Sequence, residues 1–203
     1  MKGLLRKDFY MLWSYSRMFL IFLIIFLAAS LFQPESVFFS FYPGIVMGML
    51  PITLIYYDES FKWHIYCQTM PLSRKMVVVE KYGMLLILTG AAALVSALVQ
   101  AVGGFFLHTL SPIEALERSV VTLSLSLAAT SLVMPLVFRL GPEKGRLTYI
   151  VSIALFCGIA GSLDGLGLTS LPEFSPILLL ILALGVTFGS MVLSIRLYEK
   201  REL

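Results

Sequence analysis

The stretch GMLLILTGAAALVSALVQAVGGFFL, residues 83–107, runs 25 positions without Asp, Glu, Lys, Arg or His. A helix of that length, rising about 1.5 Å per residue, crosses the roughly 30 Å hydrocarbon core of a bilayer. It must be a helix, because lipid offers backbone N–H and C=O groups no partner. Five more runs free of those five residue types lie at 18–32, 37–57, 120–138, 147–163 and 174–195. The first is short for a bilayer and is expected to begin earlier, with Arg17 reaching back toward the headgroups. The pattern predicts an all-α integral membrane protein with six transmembrane helices, one domain over residues 1–203.

Composition agrees. The 203 residues are 59% hydrophobic and 13% charged, against about 25% charged in soluble domains. That charge density cannot cover a water-facing surface. Six spans take about 120 residues, which leaves no room within these 203 for an ATPase, kinase or DNA-binding domain. Two cysteines, Cys67 and Cys157, make neither a disulfide framework nor a multi-cysteine metal site.

The net charge of +3 reflects topology, not a nucleic-acid partner. Basic residues alternate between connections. Lys2, Arg6, Lys7 and Arg17 precede the first run, and 33–36 has none. Lys62, Arg74, Lys75 and Lys81 follow the second run, and only Arg118 follows the third. Arg139, Lys144 and Arg146 follow the fourth, 164–173 has none, and Arg196, Lys200 and Arg201 close the chain. An inside N-terminus puts 14 of the 15 basic residues on the cytoplasmic side, as the positive-inside rule requires. Both termini are then cytoplasmic, which six spans demand. A leader cleaved near Ala28-Ala29-Ser30 is the competing reading of the start, and its long, aromatic n-region is atypical.

Leu5, Phe9, Leu12 and Trp13 recur at helical spacing opposite Lys2, Arg6, Lys7 and Ser14. This predicts a basic amphipathic helix over 1–17 in the inner interface, either a passive lipid anchor or a partner-docking element. The longest polar connection is DESFKWHIYCQTMPLSRKMVVVEKY, residues 58–82. Asp58 and Glu59 suit a helix N-terminus. Trp63, Tyr66, Cys67 and Met70 fall on one helical face, Pro71 stops the helix, and Ser73 suits the N-cap of the next. A short helix over 58–70 is expected beneath the membrane, resting on headgroups or inserted into a partner's groove.

An acid pair, Trp-x-x-Tyr, Pro-x-Ser-Arg and Lys-Tyr opening the next span, here Asp58, Glu59, Lys62, Trp63, Tyr66, Pro71, Ser73, Arg74, Lys81 and Tyr82, resemble permease subunits of the ABC-2 type. The opening MKGLLRKDFY is similar too, while His64 and Cys67 depart from the pattern. Within the family the likeness leans toward Gram-positive peptide exporters, such as phenol-soluble-modulin exporter permeases, with bacteriocin-immunity permeases among the relatives. The resemblance implies a bacterial plasma-membrane permease that performs no catalysis. ATP and Mg would be bound by a separate ABC ATPase subunit, and this chain would carry no cofactor. It implies that 58–70 is the coupling helix, with Asp58, Glu59, Lys62, Trp63 and Tyr66 meeting the ATPase. It further implies a homodimer or a pairing with a paralogous permease, with lipid around it and an amphipathic peptide or other apolar cargo within.

Other chemistry is missing from the sequence. There is no Gly-x-x-x-x-Gly-Lys-Ser/Thr to cradle a nucleotide, and no ionisable relay inside the six runs, which argues against proton coupling. His64 and His108 fall in connections on opposite sides and cannot share a metal. Pro43, Gly44, Gly48 and Pro51 predict a kinked second span. By analogy with the family, Met47, Met49 and Phe156 are candidate path residues, Met being adaptable in shape. Gly44 with Gly48, and Gly185 with Gly189, form Gly-x-x-x-Gly pairs that permit internal helix packing or a dimer seam. Two rival classes stay open: the substrate-capture subunit of an energy-coupling-factor vitamin importer, and a non-transport peptide-immunity membrane protein.

Overall fold

A computed structural model describes residues 2–15, 17–32, 37–63, 66, 73–107, 111–141, 147, 150–151, 154 and 175–199. Its elements are helices: α1 (Lys2–Tyr15), α2 (Arg17–Phe32), α3 (Val37–Ser60), α4 (Arg74–Leu107), α5 (Pro112–Leu140) and α6 (Pro176–Glu199). No strand occurs among the described residues. Three stretches are long and apolar enough to cross a membrane, Arg74–Gly104, Ile113–Arg139 and Pro176–Glu199, and α1 with α2 makes a fourth if that bent pair is one span. The expected fifth span, 147–163, lies almost wholly outside the described residues, as do Phe156 and Cys157.

The helix ends follow local chemistry. Ser73 caps α4 as expected, its Oγ accepting from the Met76 N–H at 3.3 Å. α5 starts two turns earlier than hydropathy alone indicates. The Ser111 Oγ accepts from the Glu114 N–H while the Glu114 carboxylate accepts from the Ser111 N–H, a capping box with Pro112 in the first turn. Glu114, Glu117 and Arg118 are therefore helical, not loop. α3 runs continuously through Pro43 and Pro51.

α5 is the central helix: 56% of its apolar window is buried within the bundle, against 17% for α6. Its buried face carries hydroxyls at Ser119, Thr122, Ser126 and Thr130, each returned to a carbonyl of its own helix three or four residues back. Small polar side chains of this kind let neighbouring helices approach closely. Gly44 of α3 uses that space: a Cβ there would stand 3.0 Å from the Ser126 Cβ and 3.3 Å from the Thr122 Cγ2. One apolar cluster, built on Ile52, Val78, Leu85, Met134 and Val137, joins α3 to α6. A second, with Leu12, Met47, Leu50, Leu54 and Met84, docks α1 against α3 and α4.

Two expectations are corrected. Asp58 and Glu59 lie in the last turn of α3, not at a helix N-terminus. The helix expected over 58–70 does not start there, because Lys62 adopts φ 53° and turns the chain after Ser60. The turn is closed by Phe61 N–H to Tyr57 O and Lys62 N–H to Glu59 O, both 2.9 Å. Only then do Trp63 and Tyr66 resume helical geometry, their rings 5.5 Å apart. Residues 64–65 and 67–72, with the predicted face positions Cys67 and Met70, lie outside the described residues. The face of α1 also differs. Leu4, Asp8 and Leu12 are buried, whereas Phe9 and Trp13 point outward. Four-residue spacing selects the first set as well as the second, and Asp8 joins the inward face because cations wait there.

Candidate functional site

α1 meets α2 at 70°, and this bend lays α1 across the ends of α3 and α4. Four segments distant in sequence then share one end of the bundle. Lys7 and Asp8 come from α1, Asp58 from the last turn of α3, and Glu80 and Lys81 from α4. The fourth segment is the end of α6: Arg74 donates to the Glu199 carbonyl at 3.3 Å, and Lys75 pairs with the Glu199 carboxylate at 3.6 Å.

The centre of the cluster is Lys81, whose side chain is 2% exposed. Its ammonium contacts the Asp8 carboxylate and lies 2.6 Å from Asp58 Oδ2. Lys7 completes a square, 2.5 Å from Asp58 Oδ1 and 3.0 Å from Asp8 Oδ1. A charge taken from water is tolerated only when paired and hydrogen-bonded, and each ammonium here meets two carboxylates. Burial alone would push the Asp8 carboxyl up, but Lys81 foremost, with Lys7, outweighs it and holds Asp8 below its ordinary value. An acid at a helix C-terminus opposes the helix dipole. The two ammonium groups on Asp58 offset that penalty.

The Lys7 ammonium also sits over the Trp63 ring, 4.5 Å from its centroid, a cation–π contact. One lysine of α1 thus grips both the end of α3 and Trp63 of the connection that follows. Of the residues expected to meet a partner, Lys62 and Tyr66 are exposed, Glu59 and Trp63 are half-buried, and Asp58 is buried. Asp58 therefore faces inward to its lysines.

Tyr82, next to Lys81, points the other way. Its hydroxyl lies 2.7 Å from Ser190 Oγ and 2.8 Å from Ser194 Oγ of α6, and Ser190 in turn donates to the Ser131 carbonyl of α5. The dipeptide Lys81-Tyr82 so ties α4 to every other described helix except α2.

The remaining expected residues separate. Met47 is buried in the cluster that docks α1. Met49 lines an apolar cavity of about 270 Å³ with Phe19, Phe22, Tyr42, Ile45, Val46 and Ile150. Two positions apart on a helix, the two methionines face different ways. Gly44 and Gly48 are buried, while Gly185 and Gly189 are exposed, with nothing among the described residues within 4 Å of a Cβ there. No group of three or more His, Cys, Asp or Glu that could hold a metal occurs among the described residues.

Asp8 and Glu80 were not singled out from the sequence, and Lys81 entered there only as a loop cation and a motif match. A signal exists: Asp8 sits four residues from both Leu4 and Leu12, an acid on an apolar stripe. Such a placement asks for a buried cation.

A search of curated proteins finds no match, and a search of solved structures finds none. A family model described as "ABC-2 family transporter protein" matches residues 3–199, nearly the whole chain, including α1, the connection after α3 and α6. This chain belongs to the ABC-2 family of transporter membrane proteins.

Proposed function

We propose that this chain is the permease subunit of an ATP-driven exporter, moving amphipathic peptides or other apolar cargo across the bacterial plasma membrane. The observation that carries the reading is the family match over 3–199 in a sequence without a nucleotide-cradling motif. The family in general works with an ABC ATPase, so the energy comes from another chain. Six spans with both termini cytoplasmic fit the alternation of basic residues. They also fit the meeting of α1, the connection after α3 and the end of α6 at one end of the bundle.

The connection from Glu59 through Tyr66 is the contact to the ATPase, with Lys62 and Tyr66 reaching outward. Asp58 serves it from within, by fixing the end of α3 to α1 and α4. Two copies, or one copy and a paralogue, form the path, because one bundle of this size has little room for a peptide. Gly185 and Gly189, open on α6, suit such a seam, whereas Gly44 is spent on packing against α5. Met49, on the apolar cavity, is the path residue this arrangement favours, and Phe156 is a further candidate.

The test is reconstitution with the partner ABC ATPase. Replacing Glu59 and Trp63 with Ala is expected to abolish permease-stimulated ATP hydrolysis while membrane insertion stays intact. Survival of the stimulation would remove this connection from the coupling path. A pull-down separates the rivals. Direct contact with an ATPase supports export, contact only through another membrane protein supports vitamin capture, and peptide resistance with an ATPase-dead partner supports immunity without transport.

A further inference from the structure

The buried network holds two ammonium groups, Lys7 and Lys81, against three carboxyl groups, Asp8, Asp58 and Glu80. Glu80 is the surplus member. Its side chain is 1% exposed, its Oε2 stands 3.6 Å from the Lys81 Nζ, and its Oε1 accepts no hydrogen bond. A buried carboxylate oxygen without a donor is costly, and an apolar side chain at position 80 would avoid the cost. Asp58 differs from the other two. It sits at the end of α3, where the chain leaves for the connection, and its side chain is 11% exposed against 0% for Asp8.

Charge balance gives the surplus a use. If Asp58 moves out to water, Lys7 and Lys81 are left against Asp8 and Glu80, two against two. We propose that Glu80 is the reserve counterion of Lys81, taking the place of Asp58 when the end of α3 moves away from α1. The motion rests on the coupling role proposed above; the exchange itself does not. Glu80 and Lys81 are neighbours on α4, so their approach needs only side-chain rotation, with α4 unmoved. Asp8 holds the ammonium from α1 throughout, and Lys7 keeps its 3.0 Å contact with Asp8. The groups that face Lys81 are Asp8 from α1, with Lys7 beside it, Asp58 from α3 and Glu80 from its own helix. Among the described residues, α5 and α6 bring no charge within ion-pair distance. Glu80 is thus a positioning residue: it lets the end of α3 leave without stripping a buried cation.

The first experiment needs no ATPase. Thermal unfolding of the purified permease is compared for the unmodified chain, Asp58→Asn, Glu80→Gln and the double variant. Each single variant is expected to fold and to melt close to the unmodified chain, because Lys81 keeps two carboxylates. The double variant leaves Asp8 alone for both ammonium groups, so its folded-to-unfolded ratio falls about tenfold or more below the product of the single effects. Additive effects overturn the proposal, and so does either single variant that fails to fold. The second experiment uses the reconstituted complex. Glu80→Gln is expected to lower stimulated turnover at unchanged KM for ATP, with Glu80→Asp restoring it. Unmodified turnover in Glu80→Gln, where the unmodified complex is stimulated, overturns the reserve role. No stimulation in the unmodified complex overturns the coupling reading instead and leaves the unfolding result to decide the exchange.

Discussion

Lys81 and Tyr82 are adjacent, and each fastens α4 to other helices by a different kind of bond. Lys81 does so with charge, in a site closed to water, where a lost partner must be replaced by another. Tyr82 does so with hydroxyls, each replaceable by the carbonyls and serines around it. The contrast separates a joint that must stay occupied from a joint that only trims the packing. On the coupling role proposed above, the first kind is expected where elements move relative to each other, and the second where they move together. The charged joint lies between α1, α3 and α4. The hydroxyl joint lies inside the α4–α5–α6 unit.

The sharpest way to break the contrast is Lys81→Met. It leaves Asp8 and Asp58 buried with Lys7 as their only cation, and the expected loss is about 3–5 kcal/mol, read by thermal unfolding in detergent. A loss near 1 kcal/mol would put the two joints in one class. The same joint predicts an acid limb. The Asp8 carboxyl is held below its ordinary 3.8, so its contribution is complete above that pH and drains as pH falls through its lower native value. Melting is expected to decline as pH falls below about 4, with Asp8→Asn flattening that decline.

Next comes Gly44→Ala, whose Cβ would crowd Ser126. Overpacking of this kind costs about 1–3 kcal/mol, against a helix-propensity gain of about 1 kcal/mol, so the net effect is a modest loss. Tyr82→Phe removes the hydroxyl bonds to Ser190 and Ser194, and about 1 kcal/mol or less is expected, since such bonds within membranes average near 0.6 kcal/mol. Smallest is Gly189→Ala, with nothing near its Cβ among the described residues. The folding of the single chain should be unchanged or slightly improved. If α6 is the seam between two permeases, crosslinking of the pair falls while monomer melting does not.

Much of the architecture was legible in the chain. Hydropathy is local, and a run such as 83–107 has only one way to sit in lipid. The Ser73 cap and the helix entering the third span follow from short-range rules, and they appear as expected. The extent of α5 was legible too, in Ser111 and Glu114 three residues apart, although the hydropathy limit concealed it. The reading of Asp58 and Glu59 as a helix start went astray for a physical reason. The dipole rule describes an isolated helix, and two lysines from other helices outweigh it.

What the sequence by itself determined is the helical, lipid-spanning character and the positions of most helix ends, because each depends on neighbours within a turn or two. What only the tertiary structure decided is which charges meet. Asp58 and Lys7 are 51 positions apart and Asp8 and Lys81 are 73 apart, and no periodicity reaches that far. The bend between α1 and α2 brings them together, and desolvation then turns two lysines and two aspartates, ordinary surface residues, with Glu80 beside them, into the most demanding site among the described residues.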